Sequence, residues 1–260
     1  MIIVIIEHMS QPKTQRRLLI IPTIILIVLA SAFILLYQGV KNRTISINEL
    51  SLRADSIRGV DISAYQVDVD MLQLKGQGIQ FIYIKATEGS SHVDDYFERN
   101  WQNAKDASLL AGAYHFFSFD SAGETQAQNF IEVVGQSLSG RLLPAVDIEL
   151  YGSHTESLPQ KESVVRELKA MLSALEEQYH VKPMLYVQKD LYEKYLADDF
   201  SDYPRWIRDV YVPASWHNGK DWLVWQYNDR GKLNGYSGGE KYIDLDVLNP
   251  DKSLNDLLVQ

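Results

Sequence analysis

Two acidic residues, one position apart, close an apolar run in the middle of the chain, Pro144-Ala145-Val146-Asp147-Ile148-Glu149. In a β-strand, side chains at positions i and i+2 point to the same face, so Asp147 and Glu149 are expected to project side by side into one site. Two carboxyl groups held close in a partly apolar setting cannot both ionise easily, and one of them keeps its proton. Such a pair can supply a proton donor near neutral pH, which is the chemistry that glycoside hydrolysis requires.

The elements that position this pair follow a regular order from residue 57 onward. Eight short apolar stretches are typical of β-strands, at residues 59–63, 81–85, 111–119, 142–148, 183–187, 205–210, 223–227 and 242–245. Amphipathic helical patterns separate the first five of them, at residues 67–74, 96–107, 123–135 and 160–179. Strands alternating with helices indicate parallel βαβ units. The last three strands are joined by loops rich in Gly, Asn and Asp, so the sequence predicts an incomplete α/β barrel that ends mainly in β structure.

Further acidic residues occupy strand ends, where the chemistry of such barrels is found. Asp61 ends the first predicted strand, and Asp244 lies on the last. Because the first and last strands of a closed barrel are neighbours, we expect Asp61 and Asp244 to share one pocket with Asp147 and Glu149. Glu149 is the candidate proton donor and Asp147 its ionised neighbour. A solvated strand end remains the alternative for this pair, and a turn or capping role is the alternative for Asp61.

Aromatic side chains on the same elements suggest a sugar ligand, since the apolar faces of sugar rings stack on Tyr and Trp. We predict Tyr114, Tyr186 and Trp225 as substrate contacts. The other aromatic residues in or just after the strands are predicted to belong to the core, because strand aromatics usually do: Tyr65, Phe116, Trp206 and Tyr227.

Composition excludes several other functions. The 260 residues carry a formal net charge of -9 and contain no cysteine, which argues against a nucleic-acid partner and excludes thiol catalysis and thiolate metal sites. The six histidines show no spacing typical of a zinc site, and His115, on a strand, is expected to be hydrogen-bonded rather than a ligand. We therefore predict no metal and no cofactor.

The N-terminus predicts a membrane segment. Residues 18–37 form an uncharged apolar run preceded by Lys13, Arg16 and Arg17, long enough to cross a bilayer, with the basic residues placing the N-terminus inside. The predicted organisation is a cytoplasmic tail at 1–17, a transmembrane anchor at 18–37, a polar linker at 38–56 and a catalytic barrel at 57–260 outside the cytoplasmic membrane. A cleaved signal peptide ending near Ala30-Ser31-Ala32 and a translation start at Met9 are alternatives.

Several motifs together resemble the glycoside hydrolase family 25 lysozymes, the Chalaropsis-type N-acetylmuramidases. They occur in the family's order, and beside the acidic pair they are Arg58-Gly59-Val60-Asp61-Ile62-Ser63, Phe81-Ile82-Tyr83-Ile84-Lys85-Ala86-Thr87-Glu88-Gly89, Gly112-Ala113-Tyr114-His115-Phe116, Trp225-Gln226-Tyr227 and Ile243-Asp244-Leu245-Asp246-Val247-Leu248. The sequence departs from the family at Arg208-Asp209, after Trp206-Ile207, and at Leu248.

This resemblance implies a TIM-like (β/α)5β3 barrel that hydrolyses the β-1,4 bond between N-acetylmuramic acid and N-acetylglucosamine in peptidoglycan. By the same resemblance, Glu149 matches the general acid, and Asp61, Asp147 and Asp244 match the other acids of the cleft. Whether an aspartate or the substrate's 2-acetamido group takes the second catalytic role stays open. The alternatives are a noncatalytic peptidoglycan-binding module and a glycosidase acting on another N-acetylated glycan.

Overall fold

The computed structural model describes residues 13–217, 219 and 221–260, and these divide into two compact units between Ile45 and Ser46. The first unit contains one long helix, α1 (Lys13–Lys41), in which Ile20–Lys41 is apolar and long enough to cross a membrane by length and composition. A signal sequence near an N-terminus has the same properties. Of the predicted tail at 1–17, residues 1–12 lie outside the described residues. Helix α1 continues to Lys41, past residue 37 where the predicted apolar run ends.

The second unit is an α/β barrel, so the predicted fold class is confirmed. Its strands are β1 (Arg58–Ile62), β2 (Ile79–Glu88), β3 (His92–Val93), β4 (Leu110–Phe116), β5 (Ala145–Ile148), β6 (Met184–Gln188), β7 (Arg205–Arg208), β8 (Val224–Gly231) and β9 (Ile243–Leu248). Its α-helices are α2 (Ile47–Ser51), α3 (Met71–Gly76), α4 (Phe97–Asp106), α5 (Gly123–Val134), α6 (Lys161–Tyr179), α7 (Lys189–Leu191) and α8 (Ala214–His217). All eight predicted strands are present, and β3 is an additional short strand paired with the end of β2.

The strands close into a ring in the order β1, β9, β8, β7, β6, β5, β4, β2, and β2 pairs back with β1. The neighbouring strands are parallel in the series β1, β2, β4, β5, β6, β7, β8, as the βαβ pattern predicts. The last strand, β9, runs antiparallel to both β8 and β1. The antiparallel strand agrees with the loss of helical patterning in the final third, because an antiparallel pair needs no crossover helix.

Strand alternation separates two apolar layers. Outward-facing side chains such as Ile82, Ile84 and Val146 pack under the helices, while Phe81, Tyr83 and other inward-facing side chains fill the barrel. The lower end of the barrel is covered by the C-terminal segment, where Leu143 N–H donates to Leu257 O at 2.7 Å. The barrel interior is therefore packed at its lower end and free for a site only at the opposite end, where the parallel strands finish.

Residues just before β1 belong to the barrel unit, although their polar composition predicts a linker from 38 to 56. Asn48, on α2, is fully buried, and its Nδ2 donates to Asp209 O at 2.8 Å and to Tyr227 O at 2.9 Å. Leu52 packs on a cluster that contains Trp225. The compact unit consequently begins at Ser46 and not at residue 57, because one buried amide hydrogen-bonds to two backbone carbonyls of the barrel.

We expect Asn48→Ala to lower the free energy of unfolding of the barrel by about 1–3 kcal/mol, since a buried amide and its two hydrogen bonds to backbone carbonyls are lost. Urea unfolding of the full chain in detergent micelles, followed by tryptophan fluorescence, measures the change. Leu50→Ala is the matched control on the same helix. Its side chain is 83% exposed, so its effect should stay within about 0.5 kcal/mol. Equal effects of the two substitutions would show that residues 46–52 do not support the barrel.

Candidate active site

The open end of the barrel holds a cleft lined by the inward-facing residues of eight strands and the loops that follow them. The cavity of about 200 Å³ is lined by Asp61, Ser63, Tyr65, Lys85, Tyr114, Phe116, Asp147, Glu149, Tyr186, Trp206, Gln226 and Asp244. A second cavity of about 390 Å³ shares five of these residues and extends past Asp229, Arg230, Glu240 and Tyr242. Because they share these residues, the two cavities form one continuous groove at the open end of the barrel.

The structure brings all four predicted acids to this cleft. Asp61 on β1 lies directly opposite Asp244 on the antiparallel strand β9. Asp147 lies on β5 beside Tyr186 of β6, and Glu149 follows one residue after the end of β5 on the same face. Barrel closure therefore places residues from the start and the end of the domain next to the central pair, as the ring order predicts.

Burial distinguishes the acids. Asp61 and Asp147 are each only 8% exposed, whereas Glu149 is half-buried at the cleft wall. Burial raises the pKa of Asp147 well above its ordinary value, and the neighbouring carboxyl groups of Glu149 and Asp61 raise it further. Burial likewise raises the pKa of Asp61, with a contribution from Asp246, and that of Asp244, with a contribution from Asp61. Each buried acid thus makes it harder for its neighbours to ionise.

Two cations flank the acids and oppose this effect. Lys85, inward-facing on β2, pairs with Glu88 at 2.7 Å and lies 4.8 Å from the centre of the Phe116 ring. Arg208, at the end of β7, donates from Nη2 to Asp229 Oδ2 at 2.8 Å. Both positive charges lower the pKa of Asp147. Arg208, where the sequence departs from the family pattern, therefore contributes to the electrostatics of the cleft.

Of the three aromatic residues predicted as substrate contacts, two lie at the cleft and Trp225 does not. Tyr114 and Tyr186 line the cleft. Trp225 faces outward from β8, where its ring packs 6.2 Å from that of Trp222 and its Nε1 donates to Asp209 O at 2.8 Å. Strand alternation explains the error, because Gln226 and not Trp225 has the inward position on β8.

Three aromatic residues predicted as core line the cleft as well. Trp206 faces inward from β7, with its ring 4.8 Å from those of Tyr83 and Tyr186. Phe116 lies at the end of β4, and Tyr65, 75% exposed, projects from the turn after β1. Trp206 and Arg208 are two positions apart on β7, so their side chains point to the same face. Because Arg208 ends the strand at the cleft, this spacing indicates that Trp206 faces inward as well.

Gln226 and Asp246 are further polar residues of the site that the sequence reasoning did not select. Gln226 Nε2 donates to Asp61 Oδ2 at 2.8 Å, and Tyr186 OH donates to Gln226 Oε1 at 2.9 Å. Asp246 is fully buried on β9, two residues beyond Asp244, and accepts a hydrogen bond from Trp206 Nε1 at 2.8 Å. The i, i+2 rule that joins Asp147 to Glu149 also joins Asp244 to Asp246, so that signal was available in the sequence.

No histidine of the described residues lines the cleft. His115 faces away from it on β4, bonded to Thr87 Oγ1 at 2.7 Å and to Gln126 Oε1 at 3.1 Å, and burial lowers its pKa to about 4. Within the described part of the chain, no group of three His, Asp or Glu side chains is placed to hold a metal ion. The chemistry that the cleft offers is proton transfer and charge stabilisation by carboxyl groups.

An acidic, aromatic-lined groove at the mouth of an α/β barrel defines the class, a glycoside hydrolase. The sequence profile of the glycosyl hydrolases family 25 matches residues 60–236, and the chain belongs to this family. A solved structure of a family 25 glycosyl hydrolase from Bacillus anthracis is 45% identical with a TM-score of 0.70, over 76% of this chain and 91% of that one.

Two further relatives support the assignment. A bacterial lysozyme from Streptomyces coelicolor superposes with a TM-score of 0.68 at 26% identity, over 79% of this chain and 96% of that one. The protein YegX of Escherichia coli K12 is 35% identical over 199 residues, which are 75% of this chain and 70% of that protein. The family resemblance noted in the motifs is confirmed.

The buried acids predict an unusual dependence of stability on pH. A carboxyl group whose pKa is raised by folding stabilises the folded state fully below the unfolded pKa of about 4, and this stabilisation is lost as the pH rises through the folded pKa. We expect the free energy of unfolding to fall from mildly acidic to alkaline pH, and Asp147→Asn to reduce that fall. Urea titrations across pH measure it. Asp198→Asn, at an exposed carboxyl paired with Lys161, is the control and should keep the wild-type slope; a wild-type slope in Asp147→Asn would contradict the assignment.

Proposed function

We propose that this chain is a muramidase that hydrolyses the β-1,4 bond between N-acetylmuramic acid and N-acetylglucosamine in peptidoglycan, with Glu149 as the general acid. The observation that carries the proposal is the convergence of Asp61, Asp147, Glu149 and Asp244 on one aromatic-lined groove. Family relatives named as lysozymes support the choice of substrate, among them lysozyme M1 from Streptomyces globisporus, 30% identical over 70% of this chain and 65% of its own length.

Glu149 suits the role of proton donor because of its position. It is half-buried at the wall of the groove, and Gln188 Nε2 donates to its Oε1 at 3.3 Å, which leaves Oε2 free to face the leaving-group oxygen of a bound glycan. A general acid must reach that oxygen directly, so a carboxyl group at the wall is better placed than one on the floor.

Asp147 suits the second role because one of its oxygens has no partner in the protein. Its Oδ1 is buried without a hydrogen-bond donor, an arrangement that costs stability unless a ligand completes it. The 2-acetamido N–H of the sugar is a donor of the right kind for this oxygen. The same oxygen could alternatively attack the anomeric carbon, so the position serves both the substrate-assisted and the nucleophilic mechanism.

The groove also fits the shape of the substrate. Tyr65, Tyr114, Tyr186 and Trp206 offer ring faces or edges along its walls, and the second cavity continues the groove toward Tyr242. Such rings give the apolar faces of sugar units a surface to pack on. A noncatalytic module would use the same surface, but it has no need of an acid at the wall with a buried carboxyl beside it.

We expect Glu149→Gln to lower the rate of peptidoglycan hydrolysis by about 10²–10⁴-fold while the protein stays folded, since only the transferable proton is lost. Release of reducing ends from purified peptidoglycan by the full chain, with identification of the terminal sugar, measures both activity and bond specificity. Glu156→Gln, an exposed glutamate outside the groove, is the matched control and should retain wild-type turnover.

Each outcome of this digestion decides between the candidate functions. Reducing N-acetylmuramic acid from the wild type supports the muramidase. Reducing N-acetylglucosamine would assign a different bond, and binding without release would assign a noncatalytic module. Wild-type turnover in Glu149→Gln would show that another group donates the proton.

We further propose that α1 anchors the barrel to the outer face of the cytoplasmic membrane. The support is the apolar run Ile20–Lys41, about 33 Å long as a helix and preceded by basic residues, which favour an inside N-terminus. Such an anchor would hold a peptidoglycan hydrolase next to its substrate.

The anchor predicts that the full chain sediments with membranes and is released by detergent but not by high salt or alkaline carbonate, since burial of an apolar helix is insensitive to both. Immunoblotting of the fractions and N-terminal sequencing of the purified protein measure this. A variant without residues 13–41, exported by an unrelated cleavable signal, is the control and should be soluble. A wild-type N-terminus near Phe33 would replace the anchor by a cleaved signal.

A further inference from the structure

A chain of hydrogen bonds crosses the barrel beneath the cleft, and it ends at an acid that the roles above leave unused. Tyr186 OH donates to Gln226 Oε1 at 2.9 Å, and Gln226 Nε2 donates to Asp61 Oδ2 at 2.8 Å. Asp61 is in turn in hydrogen-bonding contact with Asp246, whose Oδ1 accepts from Trp206 Nε1 at 2.8 Å. All five residues face inward on adjacent or nearby strands.

The contact between Asp61 and Asp246 requires a proton. Two carboxylates cannot hydrogen-bond to each other, and both of these are buried, Asp246 completely. Asp246 Oδ2 finds no N–H or protein hydroxyl donor, so within the described structure the carboxyl group of Asp61 is what can supply one. The pair is therefore satisfied as one acid and one carboxylate, and it carries a single negative charge.

The surrounding donors decide which partner holds the proton. Trp206 Nε1 donates to Asp246, and an indole can only donate, so this carboxyl group is stabilised as the charged form. Asp61 Oδ2 is occupied by the Gln226 amide, which leaves its other oxygen to carry the proton toward Asp246. The order of donors thus runs from Tyr186 through Gln226 and Asp61 to Asp246.

We propose that Asp246 is a positioning residue of the active site, which carries the charge of this pair and holds Asp61 in its protonated form beneath the bound sugar. Asp61 then contributes a neutral, fixed hydrogen-bonding group to the floor of the cleft, and the negative charge lies on Asp246 beneath it. This placement of the charge makes Asp147 easier to ionise. A charge on Asp61 would lie closer to Asp147 than a charge on Asp246 does, and it would oppose the ionisation of Asp147. The proposal goes beyond the choice of substrate and rests on the proposed function only for its kinetic assay.

The other ionisable groups around the pair do not supply a cation that would reverse this assignment. The charge on Asp246 raises the pKa of Tyr83 on β2 and of Tyr227 on β8, and the charge on Asp244 of β9 raises the pKa of Asp246. Glu149 acts on Asp61 with a negative charge. Lys85 and Arg208 act on Asp147, where they favour the ionised form. Burial and the neighbouring acids raise the pKa of both Asp61 and Asp246, which agrees with one shared proton.

A comparison of the variants Asp246→Asn and Asp61→Asn tests the proposal. In Asp246→Asn the amide donates to Asp61 in place of the shared proton, so Asp61 becomes charged. In Asp61→Asn the amide donates to Asp246, and the charge stays where it is. The readout is the acidic limb of the pH profile of kcat/KM for the full chain in detergent on purified peptidoglycan, since this limb reports the ionisation of Asp147 in the free enzyme.

We expect the acidic limb of Asp246→Asn to move to higher pH by about one unit, and that of Asp61→Asn to stay at the wild-type position whatever its rate. A purely structural role of Asp246 would lower the rate without moving the limb. Unmoved limbs in both variants, or a limb moved to lower pH in Asp61→Asn, would overturn the proposal, because the latter would mean that Asp61 carries the charge in the wild type.

Infrared difference spectroscopy supplies a readout that needs neither turnover nor the Asp246 variant. The wild type should show carbonyl absorption of protonated carboxylic acids near neutral pH, and the part of it that belongs to Asp61 should be lost in Asp61→Asn. Retention of the whole band in Asp61→Asn would overturn the proposal, because the proton would then belong elsewhere. A wild type that shows this band but releases no sugar would refute the muramidase and leave the carboxyl pair intact.

Discussion

The pairing of the first strand with the last is the constraint on which the site depends. β1 and β9 run antiparallel with Asp61 opposite Asp244, and β1 also pairs with β2, so a single strand closes the ring. Space at this seam is limited, since a Cβ on Gly59 would lie 2.2 Å from the Phe81 ring. The absence of a side chain at Gly59 lets the apolar floor pass directly beneath the strand that carries the acids.

The inward-facing side chains change from apolar to charged over a few residues along each strand. On β2, Phe81 and Tyr83 fill the lower layers, and Lys85 reaches the cleft. On β7 the order is Trp206 and then Arg208. The apolar layer beneath excludes water from one side of the acids, and this desolvation is the largest cause of the raised pKa values of Asp61 and Asp147. The core that stabilises the barrel is therefore also what keeps protons on the catalytic floor.

Much of the architecture could be predicted from the sequence, because strand and helix periods are local properties. Strand order and the meeting of Asp61 with Asp244 follow from closure alone. The choice of aromatic contacts failed at Trp225, since residue type does not reveal which of two adjacent positions faces inward; Gln226 occupies that position. Asn48 was missed for a different reason. Its role depends on carbonyl groups of residues 209 and 227, far away in the chain, and a polar segment before a domain looks the same whether it is packed or free.

Closure by the final strand has a consequence for how the protein is made. Ribosomes release the chain from the N-terminus, so Asp147 and Glu149 emerge about a hundred residues before β9 does. Until β9 has paired with β1, neither Asp244 nor Asp246 is in place, and the floor beneath the central acids is incomplete. The acidic groove is thus incomplete until synthesis ends, and a nascent or truncated product lacking its last twenty or so residues lacks both Asp244 and Asp246.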